Sequence, residues 1–396
     1  MKINRKPIEI LYQQLSAETK TMLDNAVDSI VSVKKKGGKI VVVTGSGPNI
    51  HEGVTTLIAE LIHKGVIDGV TTSSAVVAHE MAGVLEEVKR VDGKKLGYTK
   101  EILPRGDTFE VSLMSSDFLQ QLSQEMLIDN SLLEKALELD GDVIIKGAGN
   151  MAYPLGLRTE NLAKEILFIA KSHGVSFEEI AGAASDVRTM AGAAYRCGLP
   201  YIVTVPQLVG GGMVGLAIGD SISITERSMR LAQMLQKADI IIESAVVLTQ
   251  EVHDGPFETY TGHGIWSHWE GYPTYSLENK VLIRIDLDSV LKKAWDFEKK
   301  SSEVQKAIDK GLPKTKLMSI PFRMEMSGFA RLENSIPVIA DIGVVWPIIA
   351  LRIEQKLNIE LDFMSYPQQS PEGQKMRKWI VDNIQPIEKK RLFKYK

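Results

Sequence analysis

Short apolar runs rich in β-branched residues recur along the chain, and most are followed by small polar residues and then an amphipathic stretch. The first run, 39–43 (KIVVV), predicts a buried strand. The next segment places apolar residues at helical spacing before Gly65: Val54, Leu57, Ile58, Leu61 and Ile62. A second apolar run follows at 66–72. This strand–helix–strand order predicts a crossover that joins two parallel strands.

The same alternation continues to the end of the chain. Further strands are predicted at 142–146, 201–205, 239–248 (or a short helix), 281–287 and 336–340. Helices are predicted in 1–36 with Ser16 as N-cap, at 184–197, from Thr225 as N-cap, at 291–308, at 344–353 and from Pro371. The pattern indicates an α/β protein with a doubly wound, mostly parallel, Rossmann-like sheet. We expect a helical lead-in over 1–36, one α/β domain over 37–360, and a helical tail over 361–396.

Composition and charge narrow the class of protein. The 396 residues are 44% apolar and 24% charged, which is typical of a globular domain, and the net charge is −3. No basic run exceeds three residues, as at Lys34–Lys36, so we expect no nucleic-acid partner. The single cysteine, Cys197, excludes a disulfide framework, indicates a reducing and therefore cytoplasmic compartment, and is expected to be structural. No signal peptide is apparent in 1–10, and prolines and glycines interrupt 197–219, so we expect no membrane span.

Small polar residues follow the first two predicted strands. Ligands of open α/β sheets bind beyond the carboxyl ends of the strands, where glycine lets the backbone approach a phosphate. The cofactor-binding candidates here are Gly45, Ser46, Gly47 and Asn49 after the first strand and Thr71, Thr72 and Ser73 after the second. The alternative is a pair of ordinary tight turns, since the motif is not a full G-x-G-x-x-G and lacks a P-loop lysine.

Acidic residues mark the ends of two later strands. Asp286 and Asp288 end one strand, and Ala340 and Asp341 follow another; these carboxylates either accept hydrogen bonds from ribose hydroxyls or cap the next helices. His79 and Glu80 are expected at the start of the helix after the second strand. There they are candidate catalytic residues that bind a ribose or an ammonium group or move the proton, and the alternative is that they are simply solvated.

Three histidines lie within 253–268, among acidic and aromatic residues. His253 and Asp254 are candidates for the general acid or base of a reaction in this segment. The histidine spacing matches no familiar zinc motif, so we predict no metal. The alternative is a surface or interface loop with packed tryptophans.

Two patches resemble deoxyhypusine synthase. In 40–85 the match consists of Val41–Val43, the turn Ser46–Asn49, Gly53 and the pair Thr71-Thr72. In 337–350 it consists of Ala340-Asp341 and Pro347. The resemblance implies NAD bound on a Rossmann-like sheet and a homotetramer with sites at subunit interfaces. That family holds an aminobutyl group on a lysine, whereas no lysine lies between Lys316 and Lys356 here.

The chain also resembles the lysine-ketoglutarate reductase/saccharopine dehydrogenase-type conserved domain, which includes NAD-dependent ornithine cyclodeaminases. The matching segments are 77–80 (VAHE), 225–230 (TERSMR) and 285–288 (IDLD). Both resemblances imply an NAD-dependent transferase or lyase that oxidises a small amine or amino acid transiently to an imine. The alternative is a non-catalytic NAD-binding scaffold or regulatory subunit. In either case the cofactor is expected to lie where Ser46, Thr72 and Asp341 converge.

Overall fold

The computed structural model describes residues 1–45, 47–104, 106–149, 151–208, 210–245, 279–286 and 334–395, with the single positions 289, 306 and 310. The predicted helix at 291–308 and the histidine-containing segment with His253 and Asp254 lie outside the described residues. So do Ser46 and Asp288.

The described strands form two sheets. In chain order they are β1 (Ile40–Thr44), β2 (Gly69–Ser73), β3 (Leu85–Asp92), β4 (Thr108–Ser112), β5 (Asp142–Gly147), β6 (Tyr201–Val205), β7 (Ile240–Ser244), β8 (Val281–Asp286) and β9 (Ser335–Ile339). The larger sheet has the order β6-β2-β1-β7-β8-β9, and every neighbouring pair in it is parallel. Counted in chain order, its six strands are arranged 3-2-1-4-5-6, which is a doubly wound Rossmann order. The predicted fold class is therefore confirmed.

Helices cover both faces of the larger sheet. They are α1 (Lys6–Gln14), α2 (Ala17–Lys35), α3 (Pro48–His51), α4 (Val54–His63), α5 (Ser74–Met81), α6 (Ser116–Glu125), α7 (Asn130–Glu138), α8 (Leu155–His173), α9 (Phe177–Ala184), α10 (Met190–Cys197), α11 (Gly212–Ser221), α12 (Ile224–Lys237), α13 (Ile342–Leu357), α14 (Pro371–Asn383) and α15 (Lys389–Leu392). None of these described helices is long and apolar enough to cross a membrane.

Alternate residues of the parallel strands enter two different cores. Ile40, Val42 and Ile242 pack with α2, α4 and α13 on one face, while Val41 and Ile241 pack with α12 on the other. Because both faces are covered, the strands have almost continuous apolar runs rather than an apolar–polar alternation. This is why the sequence pattern locates the strands well.

The smaller sheet was not expected. Its order is β4-β3-β5 and both pairs are antiparallel, with Leu85 opposite Gly147 and Val88 opposite Ser112. The prediction that 142–146 is another strand of the parallel pattern is wrong, because β5 pairs antiparallel with β3. An apolar run identifies a strand but not its partner, which here comes from the same insertion between β2 and β6.

The predicted helix starts at Ser16 and Pro371 are right. The starts at Thr225 and His79 are wrong, and so is the single helix over 184–197, because α9 ends at Ala184 and α10 begins at Met190. Ser16 caps α2 by accepting a hydrogen bond from the Thr19 amide at 3.1 Å. The N-cap of α12 is Ser223 rather than Thr225, because Ser223 has the extended backbone of a cap and accepts from the Glu226 amide. Likewise α5 begins directly after β2, so His79 and Glu80 lie in its last turn and not at its start.

A buried ion pair covers the outer side of β6, an edge strand of the described sheet. Glu178 accepts a hydrogen bond from the Val203 amide at 2.9 Å, and Arg227 donates to the Val203 carbonyl at 2.8 Å. Glu178 and Arg227 also pair with each other. The two side chains therefore satisfy backbone groups that an unprotected edge would offer to another strand.

We expect Arg227→Met to lower the free energy of unfolding by about 3–5 kcal/mol, because it leaves the buried Glu178 carboxylate without its counter-ion. Arg230→Met, on the same helix, is the matched control: Arg230 forms a half-exposed pair with Glu226, and its loss should cost less than about 1 kcal/mol. Urea unfolding of the three proteins measures both values. Equal losses would contradict the proposed role of the buried pair.

Candidate functional site

The strand order reverses between β1 and β7, and open α/β sheets bind ligands in the crevice at such a point. The loop after β1 contains Gly45 and Gly47. Gly47 has φ +65° and ψ −113°, a conformation that essentially only glycine adopts, and a Cβ added there would meet nothing within 4 Å. The backbone at Gly47 is therefore open to close approach by a ligand.

The end of β2 contributes hydroxyl groups. Thr71 donates a hydrogen bond to Thr204 of β6 at 3.0 Å, so its side chain links the two strands. The hydroxyls of Thr72 and Ser73 are buried and have no hydrogen-bond partner within the described part of the chain. Thr72 lies beside Thr44, the last residue of β1. Two unsatisfied hydroxyls thus lie one strand away from the glycine loop.

A buried chain of hydrogen bonds ties the elements together at the reversal. Trp346 of α13 donates from Nε1 to Ser244 Oγ at 2.9 Å, and Ser244 in turn donates to Asn49 Oδ1. Asn49 is completely buried. The Asn49 side chain therefore fixes α3 against the end of β7. Its predicted contact with a cofactor stays a prediction.

Asp341 follows β9 and caps α13 by accepting a hydrogen bond from the Gly343 amide at 2.8 Å. The Glu52 carboxylate lies at the same turn and accepts from the Gln368 backbone amide at 2.7 Å. Burial raises the pKa of Glu52, and the negative charge of Asp341 adds to this effect, while the Gln368 amide opposes it. The capping alternative for Asp341 is what the structure shows; ribose binding remains a prediction.

The expected convergence of Thr72 and Asp341 is wrong, and Ser46, the third residue of that expectation, lies outside the described residues. Thr72 and Asp341 both lie at the carboxyl ends of their strands. However, β2 and β9 are four strand spacings apart in the sheet, or about 19 Å. Their side chains do not meet. Asp286 ends β8 between them, and Ala340 directly follows β9.

Glu80 is completely buried and serves the start of α10. Its carboxylate accepts hydrogen bonds from the Met190 and Ala191 amides at 2.6 and 3.1 Å and from the Tyr201 hydroxyl at 3.2 Å. Burial raises the pKa of Glu80 to about 7 against the opposing effect of these donors. This contact set makes Glu80 a helix cap, and its predicted catalytic role is not tested by it.

His79 lies in a basic cluster that consists of His51, His79, Lys146 and Arg377. Its Nδ1 faces the Ala148 carbonyl at 2.8 Å, which fixes the proton on Nδ1, and burial lowers its pKa. His51 has its pKa lowered to about 4 by burial and then by Arg377, His79 and Lys146. Arg377 contacts His51 Nδ1 at 3.4 Å. The groups come from four separate elements, so no local motif reveals them.

The basic cluster includes His51, the last residue of α3. Both histidines are neutral at pH 7, because their lowered pKa values disfavour the charged form. Within the described ranges, no group of three or more His, Cys, Asp or Glu side chains is arranged to hold a metal ion.

Comparisons with known proteins show distant similarity only. No protein-family model and no curated protein matches the chain. A conserved LOR/SDH protein from Methanococcus maripaludis S2 aligns with 87% of this chain and 71% of its own, at 11% identity and a TM-score of 0.39. ArgZ, an arginine dihydrolase from the ornithine-ammonia cycle in cyanobacteria, aligns with 86% of this chain at 13% identity and a TM-score of 0.40. AgrE, solved with ornithine and NAD⁺, aligns with 86% at 13% identity and a TM-score of 0.41.

The chain spans about a third of the length of ArgZ and AgrE, 34% in each case. Similarity of this degree assigns no activity to the chain. The Rossmann order and the site geometry described above rest on the structure of this chain alone.

The raised pKa of Glu80 makes a prediction about pH. In the unfolded chain its pKa is near the ordinary 4.5, so the folded protein holds the proton more tightly between pH 4.5 and 7. The stabilising contribution of the protonated group is complete below pH 4.5 and is lost as the pH rises to about 7. Glu80→Gln removes this dependence and keeps an acceptor oxygen. We expect the unfolding free energy of the variant, relative to the wild type, to rise by about 3 kcal/mol from pH 4 to pH 9.

Urea unfolding at a series of pH values measures this difference. Glu138→Gln, at an exposed position in α7, is the control and should show no comparable change. If the difference in unfolding free energy between wild type and Glu80→Gln does not change from pH 4 to pH 9, the raised pKa of Glu80 is contradicted.

Proposed function

We propose that this protein is an NAD-dependent enzyme that acts on a small amine or amino acid. The observation that carries the cofactor part is the reversal of strand order between β1 and β7, with the open Gly47 backbone at that point. The substrate part rests on the sequence resemblance of 77–80 and 337–350 to two NAD-linked families that work on amines. AgrE, solved with ornithine and NAD⁺, is consistent with both parts.

The residues at the crevice fit a dinucleotide. The open space at Gly47, in the same loop as Gly45, leaves room for phosphate oxygens near backbone N–H groups. Thr72 and Ser73 offer buried hydroxyls that lack a partner among the described residues and suit ribose or phosphate oxygens. A bound nicotinamide dinucleotide supplies a reversible hydride acceptor.

The proposed reaction oxidises the substrate transiently. The carbon that bears the nitrogen loses a hydride and the nitrogen loses a proton, which gives an imine. Water or a second amine then adds to the imine carbon, and the original nitrogen leaves as ammonia or an amine, so that a carbonyl group or a new imine remains. The hydride returns to this carbon with a proton from solvent, which leaves no net oxidation. His253, Asp254, His79 and Glu80 remain the candidates for the general acid or base.

Two glycine-to-alanine variants test cofactor binding, one at the crevice and one away from it. Gly47→Ala places a methyl group in the open approach and should weaken NAD⁺ binding at least tenfold in calorimetry. Gly37→Ala is the matched control, because Gly37 also has a positive φ, +76°, and open space around it, but it precedes β1 at the opposite end of the strand. Both variants carry a similar backbone strain of about 1–3 kcal/mol, so only the effect on binding distinguishes them.

Acid release of bound nucleotide from the purified protein is the direct companion measurement. Absence of NAD(H) together with no heat of binding would contradict the proposal, as would equal weakening by both glycine variants. Substrate class is tested by following ammonia release and product formation with ornithine, lysine and spermidine in the presence of NAD⁺. Tight NAD⁺ binding with no turnover of any amine would instead support a non-catalytic scaffold.

A further inference from the structure

A separate cleft lies in the insertion that carries β3, β4 and β5. It has a volume of about 460 Å³, and every described residue that lines it falls between Arg90 and Met151. The strand-end crevice, in contrast, is formed by the carboxyl ends of β1 and β7 in the larger sheet. The cleft therefore belongs to a different sheet from the crevice.

One wall of the cleft is the loop that precedes β4, and this loop is tied down at both ends. The Gly93 amide donates to the Asp107 carbonyl at 2.8 Å, and Lys94 pairs with the Asp107 carboxylate at 2.6 Å. Tyr98 of the loop stacks on Phe109 of β4, with ring centroids 5.5 Å apart. The wall is therefore formed before any ligand arrives, as is usual for small-molecule sites.

Most of this wall is apolar, and part of it faces solvent. In addition to the stacked rings, the apolar lining consists of Ile102, Leu103, Pro104 and Met151. Ile102 is 67% exposed and Met151 is 71% exposed, so two large apolar side chains are left uncovered at one cleft. Met151 also has φ +66°, a strained conformation for a residue other than glycine. The fold thus holds an apolar side chain at the cleft at a cost in backbone energy.

The polar wall is a row of three charged side chains. Glu110 accepts a hydrogen bond from Arg90 Nε at 2.8 Å and pairs with Lys146 Nζ at 2.5 Å. The Arg90 side chain is 46% exposed, whereas that of Glu110 is only 11% exposed. Two cations and one carboxylate line the described part of the cleft, which leaves one positive charge in excess. The excess favours a negatively charged ligand.

Arg90 is the group best placed to bind such a ligand. Its Nε is held by Glu110, and its two Nη atoms donate no hydrogen bond to another residue in the described part of the chain. A planar guanidinium that is fixed through Nε can offer its Nη groups as a pair to a second carboxylate. One added carboxylate also balances the positive charge of the wall.

We infer that this cleft binds a small monocarboxylate with an apolar body. The carboxylate accepts hydrogen bonds from the Nη atoms of Arg90, and the apolar body packs against the Tyr98 ring and the Met151 side chain. Glu110 is a positioning residue, since it fixes the guanidinium and does not itself touch the ligand. The inference does not depend on the function proposed above.

The test is calorimetric titration of the full-length protein, without NAD⁺, with hexanoate, hexanamide and acetate at neutral pH. Saturable binding of hexanoate is expected. Hexanamide and acetate should each bind at least tenfold more weakly, because the amide lacks the charge and acetate lacks the apolar body.

Two arginine variants test the anchor. Arg90→Met removes the guanidinium and should weaken hexanoate binding at least tenfold, while Glu110 keeps Lys146 as its partner. Arg391→Met is the matched control, because Arg391 is also a half-exposed arginine with one carboxylate partner but lies in α15. The control should leave hexanoate binding unchanged.

Met151→Gly tests the apolar wall. It removes the side chain and also suits the positive φ, so it should weaken hexanoate binding without lowering the urea midpoint of unfolding. Gly47→Ala separates the cleft from the crevice, because it should reduce NAD⁺ binding and leave hexanoate binding unchanged.

The inference is overturned by any of three results with the ligands and Arg90: no saturable binding of hexanoate, equal binding of hexanoate and hexanamide, or undiminished hexanoate binding by Arg90→Met. Undiminished hexanoate binding by Met151→Gly also overturns it, since the apolar body would then lie elsewhere. Loss of hexanoate binding in Gly47→Ala would place the carboxylate in the crevice and so reject a separate site.

Discussion

The pairing of β1 with β7 is the constraint on which the arrangement of the site depends. These strands run parallel from Ile40–Ile240 to Thr44–Ser244, so their carboxyl ends stop at the same level. From β1, the strands β2 and β6 extend the sheet on one side, and the strands β7, β8 and β9 extend it on the other. The connections from the two halves diverge between β1 and β7, which leaves a crevice there. The bonds from Trp346 to Ser244 and from Ser244 to Asn49 hold the helices on either side at fixed positions.

Three buried glutamates show how differently the fold treats a carboxylate. Glu178 has a guanidinium and a backbone amide as partners, and it closes the edge of the sheet. Glu80 has two amides at a helix start and a tyrosine hydroxyl. Glu86 has the Gly149 amide as a partner and the Ser112 hydroxyl beside it. The fold itself therefore supplies polar partners for all three carboxylates.

Much of the larger sheet could be predicted from the sequence, because its strands are buried on both faces and therefore have dense apolar runs. The predicted strand at 201–205 matches β6, and the other described strands of this sheet differ at their ends by a few residues. The antiparallel sheet was missed for a physical reason. Its strands, such as β3 with Glu86, Glu87 and Lys89, carry charged residues on a partly exposed surface, and their pairing depends on contacts distant in sequence.

The site was less predictable, because helix starts and nucleotides attract the same chemical groups. A helix N-terminus presents unpaired N–H groups, and a carboxylate satisfies them as well as it would satisfy a ribose hydroxyl. Asp341 and Glu80 both serve helix starts in this fold, α13 and α10 respectively. Sequence position near a strand end does not separate the two uses, since parallel strands lead directly into helices. The hydroxyls of Thr72 and Ser73 separate them better, because no helix start uses them and they have no partner among the described residues.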